Sequence, residues 1–418
     1  MERALLVTVD FRKDDSLWSA KERSTELGEL ARSVGAEVIR EEIVNRDAPV
    51  PACFIGRGKA EELCGVCSEG RVQVVIFNND LTATQQKNLE GLIGVKAIDR
   101  TQLILDIFAR RAFSNEGKIQ VELAQLLYLL PRLTGKGIML SRLGGGIGTR
   151  GPGEQKLETD RRKIRQRITK LKRDLQDLRA RRAMMRKHRK RFAALTVSIV
   201  GYTNAGKSTL LNALTQSHVM TQDKLFSTLD PTVRGFTLPN KQNVLFVDTV
   251  GFLNNLPVHL IEAFKATLEE VVESDVIVHL IDISHPKARE QAEAVYAILR
   301  ELGVSDTPII PILNKIDLVN ERVIEKAQEE FGQAEPVSAL QRIGLERLIG
   351  KVSSFLEDAM TTVTFKIPNS DMKTLSLIHE NGRVISVEYG PDAVSVKAVM
   401  PSRIKEMLEK RLSPRKNS

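Results

Sequence analysis

Short apolar runs alternate with stretches of helical period along the first hundred or so residues. Residues 4–9, 37–39, 73–77 and 95–98 read as strands, and 23–34, 58–67, 82–92 and 101–112 as helices. That alternation predicts a small α/β domain on a mostly parallel sheet. The pattern then changes. Apolar residues recur at Ile119, Leu123, Leu126 and Leu130, a face ending near Pro131, and again at Leu157, Ile164, Ile168, Leu171, Leu175, Leu178 and Met185. Steps of three, four and seven predict two helices joined as an antiparallel hairpin with a coiled-coil seam. From about residue 193 strand and helix signals alternate once more, with apolar runs at Leu195–Val200, Asn243–Val247 and Pro308–Leu313. Beyond them Val363–Ile367, a helix near 371–380, Val384–Tyr389, Ala393–Val399 and a helix at 402–412 predict a small βαββα domain. The expected organisation is an α/β chain in four parts: an N-terminal α/β domain (1–115), a helical hairpin (116–192), a mostly parallel α/β domain (193–358) and a small α+β domain (359–418).

Charge changes this picture at one place. The net charge is +9, but sixteen Lys or Arg between Arg161 and Arg191 face only Asp174 and Asp177, which puts +14 on 31 residues and leaves the rest of the chain acidic. So many like charges on one helix repel one another, where a merely solvated face mixes signs. A polyanion is the expected partner of the hairpin. Its two helices are joined by Thr134–Gly153, with eight glycines in twenty residues and with Arg142 and Arg150. Helix–helix connections are usually much shorter, so a loop of this length is expected to have a task. Glycine backbone can approach RNA closely and the arginines can pair with phosphate.

Three cysteines are too few for a disulfide framework, and the longest apolar runs, such as Val276–Ile283, are far below membrane-spanning length. The expectation is a cytoplasmic monomer without a membrane span. Cys64-Gly65-Val66-Cys67 has no second pair and no nearby histidine, and reads as helix packing rather than a zinc or redox site.

The chemistry is concentrated in the third part. Gly201-Tyr202-Thr203-Asn204-Ala205-Gly206-Lys207-Ser208 fits G-x-x-x-x-G-K-[ST] between an apolar strand and a helix. Glycines there turn backbone N–H groups toward phosphate, Lys207 reaches the β- and γ-phosphates, and the Ser208 hydroxyl can hold Mg²⁺. Asp248-Thr249-Val250-Gly251 follows the second apolar strand; its aspartate can hold Mg²⁺ through water and the Gly251 N–H can meet the γ-phosphate. Asn314-Lys315-Ile316-Asp317 closes the third, and the Asp317 carboxylate can accept from both guanine N1–H and the 2-amino group, which adenine lacks. Ser338-Ala339-Leu340 is placed to support guanine O6 through a backbone N–H. In this order the segments predict one GTP site and GTP hydrolysis, with Lys207 and Gly251 among the catalytic groups. Phe226-Ser227-Thr228-Leu229-Asp230-Pro231-Thr232 lies where a switch loop would supply a threonine to Mg²⁺ and the γ-phosphate. Thr228 and Thr232 both qualify, and Thr228 is favoured. Asn204 also fits a site for K⁺ beside the phosphates, against the plainer reading of a residue that tightens the loop.

Arg150-Gly-Pro-Gly-Glu154-Gln-Lys-Leu157-Glu158-Thr-Asp160-Arg161-Arg162, with Gly144-Gly-Gly-Ile-Gly-Thr before it and the phosphate loop after it, resembles the HflX family of ribosome-associated GTPases, within the Obg-HflX-like group. The resemblance covers essentially the whole chain, with Gln155-Lys156 standing where the family pattern has threonine-glutamine. It implies Mg²⁺ on Ser208 and Thr228 and guanine on Asn314 and Asp317. It further implies binding to the large ribosomal subunit (50S) and its rRNA, with GTP-dependent splitting or rescue of stalled or idle ribosomes. Maturation of the large subunit would use the same basic arm; a role in tRNA modification would need a second reactive site. Many GTPases place a water-orienting glutamine directly after Asp-x-x-Gly, whereas this chain has Phe252, whose ring cannot hydrogen-bond water.

Overall fold

The computed structural model describes residues 2–12, 18–133, 152–191, 195–215, 231–240, 242–253, 268–304, 307–332, 334–358, 360–401, 405, 408, 409, 411 and 412. They group into two compact units, one drawn mainly from Met1–Leu178 and the other mainly from Arg179–Thr221, Pro231–Phe252 and Thr267–Ser418.

In the first unit β1 (Arg3–Phe11) pairs in parallel with β2 (Glu37–Arg46) and β3 (Val74–Phe77), and β3 with β4 (Lys96–Asp99), in the order β2-β1-β3-β4. Ala4–Val9 and all of β3 are buried, as the middle of a parallel sheet covered on both faces requires. β2 runs well past the short strand expected from the sequence. Arg40, Glu41 and Glu42 hid its length, and they are the residues that suit an edge strand, where charge discourages pairing with another chain. Helices α1 (Ala20–Ser33), α2 (Arg57–Gly70) and α3 (Ala83–Ile93) connect the strands, and α4 (Arg100–Arg111) follows β4. Ser19 with Glu22, and Thr82 with Gln85, form reciprocal caps that satisfy the first amides of α1 and α3. Cys67 lies in this unit's apolar core, and burial pushes its thiol up to about 11, away from the thiolate that metal or redox chemistry needs.

Helices α5 (Asn115–Arg132) and α6 (Pro152–Arg191) follow. α5 is rooted on the sheet by polar contacts to the buried end of β4: the Tyr128 hydroxyl donates to Asp99 Oδ1 at 2.8 Å, while Arg132 donates to Asp99 Oδ2 at 2.8 Å and to Leu81 O at 2.7 Å. The seam expected between the two helices is present. Leu123, Ile168, Leu171 and Leu175 are buried together, with Ile119, Leu126, Leu130 and Ile164 packed against them. Proline suits the first position of a helix, where its missing N–H costs nothing, and α6 starts on Pro152, one residue before the expected end of the glycine-rich loop. Residues 134–151 of that loop lie outside the described residues.

In the second unit a six-stranded sheet has the order β10-β9-β8-β5-β7-β6, from β5 (Leu195–Gly201), β6 (Thr232–Thr237), β7 (Asn243–Asp248), β8 (Val276–Asp282), β9 (Ile309–Asn314) and β10 (Glu335–Pro336). All neighbours are parallel except β6 with β7. β6 has no counterpart in the sequence reading, because Thr232-Val-Arg-Gly-Phe-Thr237 is a half-exposed edge with neither a continuous apolar run nor clean alternation. Helices α7 (Lys207–Thr215), α8 (Ala288–Glu301), α9 (Glu321–Glu330) and α10 (Leu345–Asp358) belong to the same unit. Its core joins Val197 and Ile199 of β5, Leu210 and Leu211 of α7, Val278 and Leu280 of β8, and Leu348 and Val352 of α10.

The C-terminal sheet is antiparallel in the order β11-β13-β12, from β11 (Met360–Pro368), β12 (Arg383–Tyr389) and β13 (Ala393–Pro401), with α11 (Met372–Asn381) between β11 and β12. This reproduces the expected strand–helix–strand–strand order. Among the described residues no helix is long and apolar enough to cross a membrane.

Candidate functional site

The chemistry-bearing segments emerge from the carboxyl ends of parallel strands β5, β7, β9 and β10, where ligands of open α/β sheets bind. Strand register brings them together. Ile199 lies opposite Asp248, Asp282 opposite Asn314, and Pro336 opposite Leu313.

The turn after β5 is short because its backbone uses left-handed conformations at Asn204 (φ 62) and Gly206 (φ 94). A side chain at Gly206 would also strike Asn314, whose Nδ2 lies 2.4 Å from where a Cβ would stand. Asn204 is exposed, and asparagine visits the left-handed region more readily than most residues, which accounts for its place by loop geometry. Lys207, at the start of α7, is buried and donates to Tyr202 O at 2.7 Å and Gly201 O at 3.2 Å. Burial pulls its pKa down to about 8, against the opposing pull of Asp248. A phosphate anion beside this ammonium would favour its charged form again.

Ser208 donates to Asp248 Oδ2 at 2.6 Å, and both side chains are buried. A hydroxyl and a carboxylate this close are hard oxygen donors of the kind Mg²⁺ takes, so the residues fit the ion expected from the sequence. Thr249 is fully buried and donates to Ile199 O at 2.7 Å, a tie between β7 and β5 rather than a ligand contact. Val250 is buried, and Gly251 admits no side chain: a Cβ there would lie 2.9 Å from Thr203 Cγ2 and 3.1 Å from Lys207 Nζ. Gly251, Thr203 and Lys207 are therefore closely packed against one another. Phe252 bridges back to the loop, its N–H donating to Gly201 O at 3.1 Å and its carbonyl accepting from Thr203 N–H at 2.8 Å. Its ring is 1% exposed, so this position is closed to water as well as apolar.

At β9 the structure refines the expected roles. Asn314 is buried and donates through Nδ2 to Ala205 O at 2.7 Å, while its Oδ1 accepts from Ala339 N–H at 3.0 Å. It is a strut that fastens the phosphate loop to the Ser338–Leu340 turn. The Ala339 amide is occupied by it, and the Gln341 N–H goes to Ser338 Oγ at 3.0 Å. Leu340 is 77% exposed. Asp317 behaves differently: its Oδ1 is buried with no hydrogen-bond partner among the described residues, an acceptor left waiting for donors. An unmet buried acceptor costs about 1–3 kcal/mol, which a bound base carrying two N–H groups would recover. Ile316, between them, packs into an apolar cluster with Ile281 and Leu313. Lys315 is held at φ 63 with its ammonium 2.6 Å from Asp282 Oδ2, and Asp282 Oδ1 accepts from Ser284 N–H at 3.0 Å and from Ser284 Oγ at 2.6 Å. The sequence reading missed Asp282 and Ser284; an Asp-x-Ser directly after a buried strand was the available signal.

Phe226, Ser227, Thr228, Leu229 and Asp230 lie outside the described residues. Thr232 is the first residue of β6 and stands opposite Asp248 in the antiparallel ladder.

The basic helix forms a second candidate surface. Arg162, Lys163, Arg165, Lys170, Lys172 and Arg173 are exposed, while the apolar residues between them face the seam. Arg162, Arg165, Lys170 and Arg173 share a furrow with Asp174 and Asp177. Arg167 is engaged within the hairpin, donating from Nε and Nη2 to the two Glu122 oxygens at 2.6 and 2.7 Å, and this contact holds the Glu122 carboxyl below its ordinary range.

Three protein families match successive parts of the chain: GTP-binding GTPase N-terminal over residues 21–109, GTP-binding GTPase middle region over 111–189, and 50S ribosome-binding GTPase over 196–315. The chain is 46% identical over 407 residues to the GTPase HflX of Caldanaerobacter subterraneus subsp. tengcongensis, covering 97% of this chain and 93% of that one. It is 39% identical over 404 residues to the GTPase HflX of Escherichia coli, covering 96% and 94%. A crystal structure of a GTP-binding protein from the archaeon Sulfolobus solfataricus in complex with GDP is 27% identical, with a TM-score of 0.45 over 85% of this chain and 98% of that chain.

Proposed function

Because the chain belongs to the HflX family of GTPases, we propose that it is a GTP hydrolase that binds the large ribosomal subunit and splits or rescues stalled or idle ribosomes. The observation that carries the ribosomal part is the exposed basic face of α6, backed by an apolar seam that keeps the helix in place. Phosphate backbone is the partner such a face fits. Cations held on a rigid helix release the counterions of the nucleic acid without ordering a flexible segment first. The family described as 50S ribosome-binding GTPase, matched over residues 196–315, points to the same partner, and rRNA is the polyanion it offers.

In this reading Asp317 accepts the two guanine N–H groups. Asn314 meets the base through its second Nδ2 hydrogen while it holds the phosphate loop and the Ser338–Leu340 turn in register, and the Asp282–Lys315 pair fixes the lysine beside the base. Tyr202, Thr203, Ala205 and Gly206 belong to the cradle, Lys207 and the Gly251 N–H meet the γ-phosphate, and Thr228 completes the site from the switch segment. Ser208 and Thr228 would hold Mg²⁺ directly and Asp248 through water. When bound, the ion neutralises charge on the β- and γ-phosphates. A monovalent cation is not needed to explain Asn204, whose backbone conformation already favours that residue. Burial of Phe252 removes the usual water-orienting group, so slow hydrolysis in isolation and acceleration on the partner are expected.

Sedimentation of the full chain with whole ribosomes and with separated subunits, in a non-hydrolysable GTP analogue and in GDP, tests the reading. Co-migration with the large subunit that depends on the analogue is the expected result. Binding to immature precursors alone would assign the protein to assembly instead.

A further inference from the structure

The end of α5 that leads into the glycine-rich segment is fastened to the N-terminal sheet by side chains as well as by its own helix bonds. Pro131 lies inside the last turn and has no N–H to donate to Leu127 O, which weakens the helix where it stops. Arg132 comes next. Its guanidinium lies 3.4 Å from the centre of the Tyr128 ring and donates to Tyr128 O at 3.1 Å, to Leu81 O at 2.7 Å and to Asp99 Oδ2 at 2.8 Å. Asp99 is 1% exposed and gathers the elements around it. It also accepts from the Tyr128 hydroxyl at 2.8 Å, the Gln102 N–H at 2.8 Å and the Leu81 N–H at 3.3 Å. One carboxylate thus ties together the start of α4, the turn after β3 and the last turn of α5. On the other side of that turn, Leu126 and Leu130 pack into the seam with α6.

We propose that Asp99, Tyr128 and Arg132 are positioning residues for ribosome engagement: they fix on the N-terminal sheet the point from which the arginine-bearing segment 134–153 departs. That segment begins two positions after Arg132 and carries Arg142 and Arg150. Apolar packing of the same volume would hold a helix end about as firmly as a buried ion pair. A carboxylate shared by four donors does something more, because each donor reaches it from one direction only and the helix end has one place to sit. Arginines presented from a fixed root lose less freedom on meeting phosphate than arginines on a frayed helix end. None of the three residues belongs to a nucleotide motif, so the device acts on the partner and leaves GTP binding by the free chain alone. The inference rests on the reading of segment 134–153 as an RNA contact.

A double-mutant cycle on the full chain tests it, reading affinity for purified large ribosomal subunits in a non-hydrolysable GTP analogue. Arg132→Gln is placed in the wild-type chain and in a chain carrying Arg142→Ala with Arg150→Ala. In the wild-type background it is expected to weaken binding about 10-fold, with GDP affinity and basal turnover within about twofold of wild type. In the second background it is expected to change affinity by less than about twofold, since the root then has no arginines to aim. Tyr128→Phe keeps the ring under the guanidinium and removes only the hydroxyl bond to Asp99. It is expected to weaken binding about threefold with the same dependence on background, and it decides the question if Arg132→Gln does not fold. Wild-type affinity in the folded variants would overturn the proposal. So would an equal loss in both backgrounds, which would make the cluster a staple of the fold. A chain without Arg142 and Arg150 that binds large subunits as tightly as wild type would instead remove the RNA reading of the segment, and the proposal with it.

Discussion

Reversing Arg162, Arg165, Lys170 and Arg173 to glutamate is expected to abolish most of the affinity for the large ribosomal subunit while leaving nucleotide binding by the free protein nearly intact. All four side chains are exposed on α6, and the seam residues Ile168, Leu171 and Leu175 that hold the helix are untouched by the change. Arg167 is deliberately left alone, because its pairing with Glu122 is part of the hairpin. If six to ten cations of the helix engage phosphates, wild-type affinity should fall about 10³- to 10⁵-fold between 50 and 200 mM salt by analogy with duplex DNA, and by less where magnesium competes. The variant should bind more weakly at low salt and show a flatter slope, its circular dichroism and GDP affinity matching wild type. Ribosome-stimulated hydrolysis should drop while basal hydrolysis persists. Unchanged affinity and salt slope in a folded variant would make α6 a strut with a solvated face.

The second large effect concerns the base. Asp317→Asn replaces two acceptor oxygens by one acceptor and one donor, at a position where Oδ1 is buried and without a partner among the described residues. Guanine N1–H and its amino group would lose an acceptor, while the 2-oxo group of xanthine would gain a donor. With each unmet buried group costing about 1–3 kcal/mol, the preference for GTP over XTP should shift by about 10²- to 10⁴-fold. Competition of GTP and XTP for a fluorescent guanine nucleotide measures it directly. Equal GTP affinity in the variant and wild type would remove Asp317 from the base site.

Much of the nucleotide site was legible in the sequence, because each segment needs particular residue types at fixed spacing and sits at the end of a buried strand. Gly206, Lys207, Ser208, Asp248 and Gly251 converge as their motifs require. What the spacing could not show was which polar groups spend themselves on the protein. Asn314 reads as a base contact, and its amide also spends one Nδ2 hydrogen on Ala205 O and accepts from Ala339 N–H, a tie between two loops that spacing alone does not reveal. Thr249 reads as part of a nucleotide motif, yet its hydroxyl ties two strands together. Asp282 belongs to none of the motifs read from the sequence, and its pairing with Lys315 appears only when β8 and β9 lie side by side. Edge strands were the weakest point of the pattern: β2 hid behind its charges, and β6 behind a threonine- and glycine-containing stretch that carries little apolar signal. Both buried sheets and the hairpin seam, where one face must be apolar, were read correctly for the same physical reason.

The central claim joins the two surfaces: a GTP site without a water-orienting residue at position 252, and a basic helix that brings the chain to the large subunit. Its most direct measurement is GTP turnover by the full chain with and without purified large ribosomal subunits, at low salt and saturating GTP. The account predicts slow turnover alone and a clear, saturable acceleration by large subunits that small subunits do not produce and that added salt suppresses. Turnover indifferent to large subunits, under conditions where the protein is shown to be folded and loaded with GTP, would contradict it.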